Sequence, residues 1–268
     1  MLAIGGLDPG AGAGVLADAR AVARAEAYAC AAVAVLTSQS TSGLRAAYPV
    51  PRAQLVAQYN EVLRHQRVHA IKVGALGSDE NVRAVGDLLA IHRDMPSVVD
   101  TVMMPTRGSA RLLEERAVLA MKKRLFAHAS LVTANAHEAE VLTGKRCTRL
   151  DEARDAACSI LAHGPRAVLV KGGHLGGPHA TDVLALATAG GEPRIIELTA
   201  PRLKIRPFHG GGCTLASLIA GHLATEHEDY EAEPERAIID AVRWAKKLHH
   251  EALSRAVDVG GDLRVLTF

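Results

Sequence analysis

Short apolar runs alternate with amphipathic stretches along most of the chain. Leu2-Ala3-Ile4 reads as a first strand, residues 5–14 as a glycine-rich turn, and residues 15–25 as a helix. The run CAAVAVL at 30–36 has no polar position, which predicts a strand buried on both faces, with a polar loop at 37–43 after it. Pro51 near a first turn opens a helix over 51–65. A strand at 70–73 precedes a helix at 79–92 capped by Ser78. Val98-Val99 leads into Asp100 as a strand, and residues 112–126 read as a helix. Leu131-Val132 forms a strand ending across Thr133 to Asn135, and a helix from 135 to 142 stops near Gly144. A helix at 151–162 and a strand at 167–170 come next, and two runs at 183–187 and 194–198 flank Gly190-Gly191 as a hairpin. Helices at 213–224 and 233–256 close the chain. This alternation predicts an α/β fold: a central, mostly parallel sheet with helices on both faces and a small β-hairpin. The polar segments that follow the strands then gather in one crevice at the carboxyl ends of the strands.

Composition narrows this picture. At 268 residues a single domain over 1–268 is expected, with no internal repeat and no clear linker. Hydrophobic residues make up 49% and aromatics 3%, so the core is built from Ala, Val, Leu and Ile and offers little for stacking nucleic-acid bases. A net charge of +2 without a basic block predicts neither a nucleic-acid nor a membrane partner. No apolar run reaches the roughly 18–20 residues that span a bilayer. Asp8 and glycines arrive too early for a signal peptide. Four scattered cysteines without a CxxC fit free thiols in a reducing cytoplasm.

Six polar segments carry candidate chemistry. Phe208-His209-Gly210-Gly211-Gly212-Cys213-Thr214 runs into an apolar helix. Glycines there let the backbone approach a ligand, and the helix start supplies free amides and a positive dipole end, which together make an anion cradle. Such a setting lowers a thiol pKa, so Cys213 is expected as a thiolate able to take a proton from an attacking hydroxyl. The bland alternative is a small residue packed under the helix. The loop Leu7 to Gly14 is neither a Walker A nor a GxGxxG fingerprint; it reads as a loop pressed on a small substrate, with Asp18 one turn on, or as a turn that needs glycine. Gln39 offers an amide able to read a heterocycle edge, or to stabilise its own loop. Asp100 ends a strand where a carboxylate can hold a metal. Asn135 and Glu138 suit magnesium through oxygen ligands and equally form a capping box, the first reading of that pair alone. Lys171 before Gly172-Gly173-His174 is placed to meet a nucleotide phosphate, with the glycines opening a flap.

Taken together, these segments resemble the hydroxymethylpyrimidine/phosphomethylpyrimidine kinase family of the ribokinase-like superfamily. The resemblance rests on GGLDPGAGAGVLAD, LTSQST, KVGALGSD, VVDTVM, LVTANAHEAEVLTG, VLVKGGHL and ELTAPR followed by HGGGCT, in that order over most of the chain. It implies transfer of the γ-phosphate of MgATP to 4-amino-5-hydroxymethyl-2-methylpyrimidine, then to its monophosphate, in thiamine biosynthesis by a cytoplasmic homodimer. It further implies substrate contacts from Asp8, Gly10, Asp18, Gln39 and Ala75. Asp100, Asn135 and Glu138 would organise magnesium and phosphates, with Asp100 and Glu138 toward the metal and Asn135 toward the nucleotide. Lys171 and His209 would lie on the ATP side, Gly210, Gly211 and Gly212 would form the anion hole, and Cys213 would be the catalytic base.

The sequence departs from the family pattern at several points. Ala75 replaces a usual Met, which predicts a wider pocket. Thr133-Ala134-Asn135 stands for TPN, and Gly211 removes a hydroxyl from HGTGCT. Pro207-Phe208 replaces a polar pair, residues 106–111 replace a Ser-Gly loop, and residues 259–263 replace a His-containing tail. A pyridoxal or pyridoxine kinase of the same cysteine-bearing type remains the alternative within enzymes, and a non-catalytic pyrimidine-binding sensor the alternative outside them.

Overall fold

A computed structural model describes residues 1–105, 107, 112–114 and 116–268. Among the described residues, nine strands form one sheet in the order β3-β2-β1-β4-β5-β6-β7-β8-β9. The six inner strands, β2 (Cys30–Ser40), β1 (Leu2–Leu7), β4 (Ile71–Val73), β5 (Ser97–Asp100), β6 (Leu131–Asn135) and β7 (Ala167–Lys171), run parallel. β3 (Gly43–Pro49) closes one edge antiparallel, and β8 (His179–Leu186) with β9 (Arg194–Pro201) forms an antiparallel hairpin on the other. Strand order reverses between β1 and β4, the switch point where a crevice opens in such sheets.

The inner strands are apolar on alternate sides, and each side has its own helix layer. Leu2, Ile4, Val99, Val132, Val168 and Val170 face α2 (Arg52–His65), α3 (Asp79–Ile91), α5 (Ala136–Thr143) and α6 (Leu150–Leu161). Ala3, Val98, Leu131, Ala167 and Leu169 face α1 (Gly14–Arg24), α7 (Gly211–Thr225) and α9 (Pro234–Ser254). α7 is buried nearly all round, wedged between α1, α9 and the sheet, as its uniformly apolar sequence requires.

Several boundaries differ from expectation. β1 extends through Gly5 and Gly6 to Leu7, because these glycines keep their ladder positions across an irregularity at Gly5/Gly6. β2 continues through the polar 37–40 segment and turns into β3, a hairpin in place of the expected loop. Nor is β2 buried on both faces: Ala31 and Leu36 are exposed. The expected 112–126 helix begins only at Ala117 as α4 (Ala117–Ala120), widens into a π-helical turn (Met121–Leu125) and tightens to a 3-10 turn (Phe126–His128). A short α8 (His227–Ala232) precedes α9. Ser78 caps α3 as expected, accepting from Asn81 N–H at 3.3 Å. A two-strand ribbon pairs β10 (Phe208–His209) with β11 (Arg264–Val265). Of the departing 106–111 segment, only Arg107 lies within the described residues. No helix among them is long and apolar enough to cross a membrane.

Candidate active site

The carboxyl ends of the parallel strands bring the candidate side chains together in two groups. The first sits at β5, β6 and β7. Lys171 Nζ donates to Asp100 Oδ1 at 2.8 Å and lies 4.0 Å from Glu138 Oε2. Thr133 Oγ1 donates to the same Asp100 oxygen at 2.8 Å. Burial opposes the Asp100 charge, yet the ammonium groups of Lys171 and Lys72 hold the carboxyl below the usual aspartate range. Burial pushes Glu138 up to about 7, a rise the Lys171 charge limits and the Asp100 charge adds to. Asn135 and Glu138 form the capping box of α5: Glu138 N–H donates to Asn135 Oδ1 at 2.9 Å, and Asn135 N–H to Glu138 Oε2 at 2.8 Å. Thr101 Oγ1 donates to that same Glu138 oxygen at 3.2 Å. Among the described residues, Asp100 Oδ2 and Glu138 Oε1 accept no hydrogen bond, so each carboxyl keeps one oxygen open.

α7 brings the glycine cradle to this group. A Cβ on Gly212 would lie 3.1 Å from Lys171 Nζ and 3.7 Å from Asp100 Oδ2, so the helix start faces the lysine and the open carboxylate oxygen. The other two glycines meet protein. Gly210 has φ +76, and a Cβ there would fall 1.8 Å from Gly12 O; one on Gly211 would fall 2.3 Å from the Phe208 ring. The three glycines of the expected anion hole thus have different neighbours: Gly212 lies by the charged group, Gly210 locks α7 to the first loop, and Gly211 makes room for Phe208.

The second group joins the two glycine-rich loops. Asp8 accepts from Gly10 N–H and Ala13 N–H at 2.9 Å each, and its Oδ2 lies 2.9 Å from His209 Nε2. Burial opposes the Asp8 charge, but the His209 bond and the two amides bring its pKa below the usual value. Gln39 meets the same His209 nitrogen at 2.8 Å. Gln39 and Asp8 therefore both converge on this one ring nitrogen. A ladder irregularity between Ser38 and Gln39 re-aims this side chain out of the hairpin. Ala75, two residues beyond β4, packs with Leu44 and Leu112. Gly10 is exposed at the rim, where a Cβ would come within 3.2 Å of Asp8 Oδ1 and Ser40 Cα.

Three expected roles change in this geometry. Asp18 is fully buried: Lys72 Nζ donates to both its oxygens at 2.9 Å and Ser217 Oγ donates at 2.8 Å, so it braces β4 against α7 and faces no substrate. Asp8 is 2% exposed and spends its oxygens on loop amides and His209. His209, expected beside ATP, lies against Asp8 and Gln39 instead. The thiolate expectation for Cys213 also fails: burial pushes the thiol up to about 12, against the opposing Lys72 charge, with Asp100 and Asp18 adding to the rise. The amide of Gly14 also favours ionisation, and even with the helix start this does not outweigh the loss of solvent.

Sequence reasoning gave Lys72 no role, although a lone lysine in the strand Ala70-Ile71-Lys72-Val73 must find a partner once buried. Asp18 and the neighbouring Cys213 and Asp100 raise its pKa above the ordinary lysine value despite burial. Arg202, the last residue of ELTAPR, was missed too. Its guanidinium donates to the carbonyls of Gly173, Leu175, Gly177 and His179, stapling the expected flap after Lys171.

The chain is similar to known proteins over nearly its whole length. The chain matches the phosphomethylpyrimidine kinase family over residues 8–265. It is 36% identical over 263 residues to a hydroxymethylpyrimidine/phosphomethylpyrimidine kinase of Streptomyces coelicolor, covering 98% of this chain and 91% of that one. The solved phosphomethylpyrimidine kinase of Clostridium difficile superposes with a TM-score of 0.76 at 29% identity, over 94% of this chain and 97% of that one. A pyridoxal kinase of Staphylococcus aureus, solved with AMP-PCP and pyridoxal, superposes with a TM-score of 0.85 at 25% identity, over 99% and 91%. The fold is ribokinase-like, and the chain, a phosphotransferase, belongs to the phosphomethylpyrimidine kinase family.

Proposed function

We propose that this chain moves the γ-phosphate of ATP to the hydroxymethyl group of 4-amino-5-hydroxymethyl-2-methylpyrimidine, and then to the resulting monophosphate, in thiamine biosynthesis. The observation that carries the reading is the meeting of Gly212, Lys171 and Asp100 at the start of α7, one residue before Cys213. Phosphoryl transfer needs positioning and charge stabilisation more than covalent chemistry, and a preorganised helix start with a buried lysine supplies both. Gln39 and the rim at Gly10 receive the aminopyrimidine, while Asp8 and His209 hold that rim in shape.

The open oxygens of Asp100 and Glu138 are hard donors next to the cradle, a set that fits magnesium completed by water and phosphate oxygens. When bound, the ion supplies charge neutralisation on the transferring phosphoryl group. Lys171 shares Asp100 with it and neutralises the same group from the β7 side. Cys213 is a protonated thiol at rest. Added positive charge beside Asp100 removes one of the carboxylate charges that raise it, so the thiol ionises most readily with substrates in place.

One continuous sheet supports a single catalytic domain over 1–268. Exposed Leu36 and Tyr48, cross-strand partners on the β2–β3 hairpin, support a homodimer through that edge.

ADP release is measured with the pyrimidine alcohol, its monophosphate, pyridoxal and sugars, each with and without chelator. Turnover on the pyrimidines that chelator abolishes is expected; turnover on sugars alone sinks the reading. Cys213→Ala is expected to lose about 10²–10⁴-fold in kcat with KM little changed. A variant with wild-type turnover removes Cys213 as the base. The similarity to the pyridoxal kinase favours pyridoxal as the second substrate to test, and Ala75→Met should narrow the pocket against it.

A further inference from the structure

The backbone immediately after Lys171 is held by a side-chain pair on β8 and α9. The β7–β8 ladder ends at the Val170–Val183 pair, so Lys171 and Gly172 have no ladder partner on β8. The Asp182 side chain takes over: its Oδ1 accepts the Gly172 N–H at 2.7 Å. Its other oxygen accepts from Lys246 Nζ at 2.6 Å, and Lys246 also donates to Ala180 O at 3.3 Å. Both side chains are nearly enclosed, at 14% exposure for Lys246 and 9% for Asp182. A Cβ on Gly172 would lie 1.9 Å from Thr181 O, so the two backbones are in direct contact here. α9 thus reaches the Lys171 side of the site through Asp182, and it also packs along α7, the helix that begins with the glycines.

A buried ion pair contributes little net stability compared with apolar residues of the same size, while losing one partner leaves a buried charge that is costly. Its most direct effect here is positional. We propose that Asp182 and Lys246 are positioning residues for ATP: they fix the peptide after Lys171, and so set the distance from the lysine to Gly212. This rests on the reading that the crevice between Lys171 and Gly212 receives ATP phosphates. Neither residue touches the substrate; each acts through the Gly172 amide.

Steady-state kinetics of Lys246→Met, Lys246→Arg and Asp182→Asn test this, with KM measured separately for ATP and for the pyrimidine alcohol. Lys246→Met is expected to raise KM for ATP about tenfold, because small displacements of a positioning group are costly, with KM for the alcohol unchanged. Lys246→Arg restores the ATP KM to near the wild-type value. Asp182→Asn, which keeps the shape and an acceptor for Gly172, raises it about threefold. A wild-type ATP KM in both Lys246→Met and Asp182→Asn overturns the proposal. So does a parallel rise in both KM values that follows a fall in melting temperature. If Lys246→Met does not fold, Asp182→Asn decides on the same criteria. Wild-type protein that consumes no ATP with any alcohol fails the reading of the crevice instead, which separates the two outcomes.

Discussion

Cys213 and Gly211 show how tertiary surroundings rewrite a local signal. A helix start and three glycines favour a thiolate, but burial and two carboxylates reverse the sign. At Gly211 the loss of the family's hydroxyl pairs with the arrival of Phe208, whose ring takes the space a side chain would need. These two departures therefore compensate each other. Gly211→Thr alone is expected to lower kcat/KM for ATP by about tenfold, since overpacking costs ~1–3 kcal/mol. In Phe208→Ser/Gly211→Thr most of that loss should return; a double-variant loss equal to the sum of the singles rules out the coupling.

Between elements, the decisive joint is the one linking the first loop to α7. Gly210 combines a left-handed φ of +76 with a closest approach to Gly12 O that excludes any Cβ. Gly210→Ala is expected to abolish turnover while the helical circular dichroism spectrum stays native, because the strain falls on two loops and spares the core. Retention of more than about a tenth of the activity contradicts this joint. The β2–β3 hairpin escaped sequence reading because its second half is polar: Thr37 to Ser40 look like loop when a strand exposes one face at a sheet edge. The helix before β6 was placed too early because residues 112–116 carry helix-forming side chains, yet Leu113 instead bridges to Gly77.

Across the molecule, the alternation of apolar runs made the parallel sheet and its two helix layers legible, since buried strands and amphipathic helices have different periods. The strand-end residues were legible as well: Asp100, Asn135, Glu138 and Lys171 meet where the order of elements puts them. Which polar groups face the crevice was not, because Asp18 and Asp8 are consumed by partners far away in the chain, Lys72 and His209. Burial also leaves a collective mark. His69, His128, His163, His174, His222 and His249 all have lowered pKa values with desolvation as the leading cause, and His249 is pushed down to about 4. The unfolded chain takes up a proton at such a site near pH 6.5, which the folded chain refuses until about pH 4. This stabilising contribution is complete above about pH 6.5 and is lost as the pH falls toward 4. Melting temperatures are expected to drop over that window, less steeply in His249→Gln; identical slopes exclude His249 as a contributor.

The Gly12–Gly210 joint has a thermodynamic consequence. In the proposed function one loop borders the pyrimidine and the other the phosphates, and the joint keeps either from relaxing alone. Binding of either ligand should sharpen binding of the other by one common factor, since linkage makes such cooperation reciprocal. Calorimetric titration of a non-hydrolysable ATP analogue with and without the alcohol, and of the alcohol with and without the analogue, should return that same ratio.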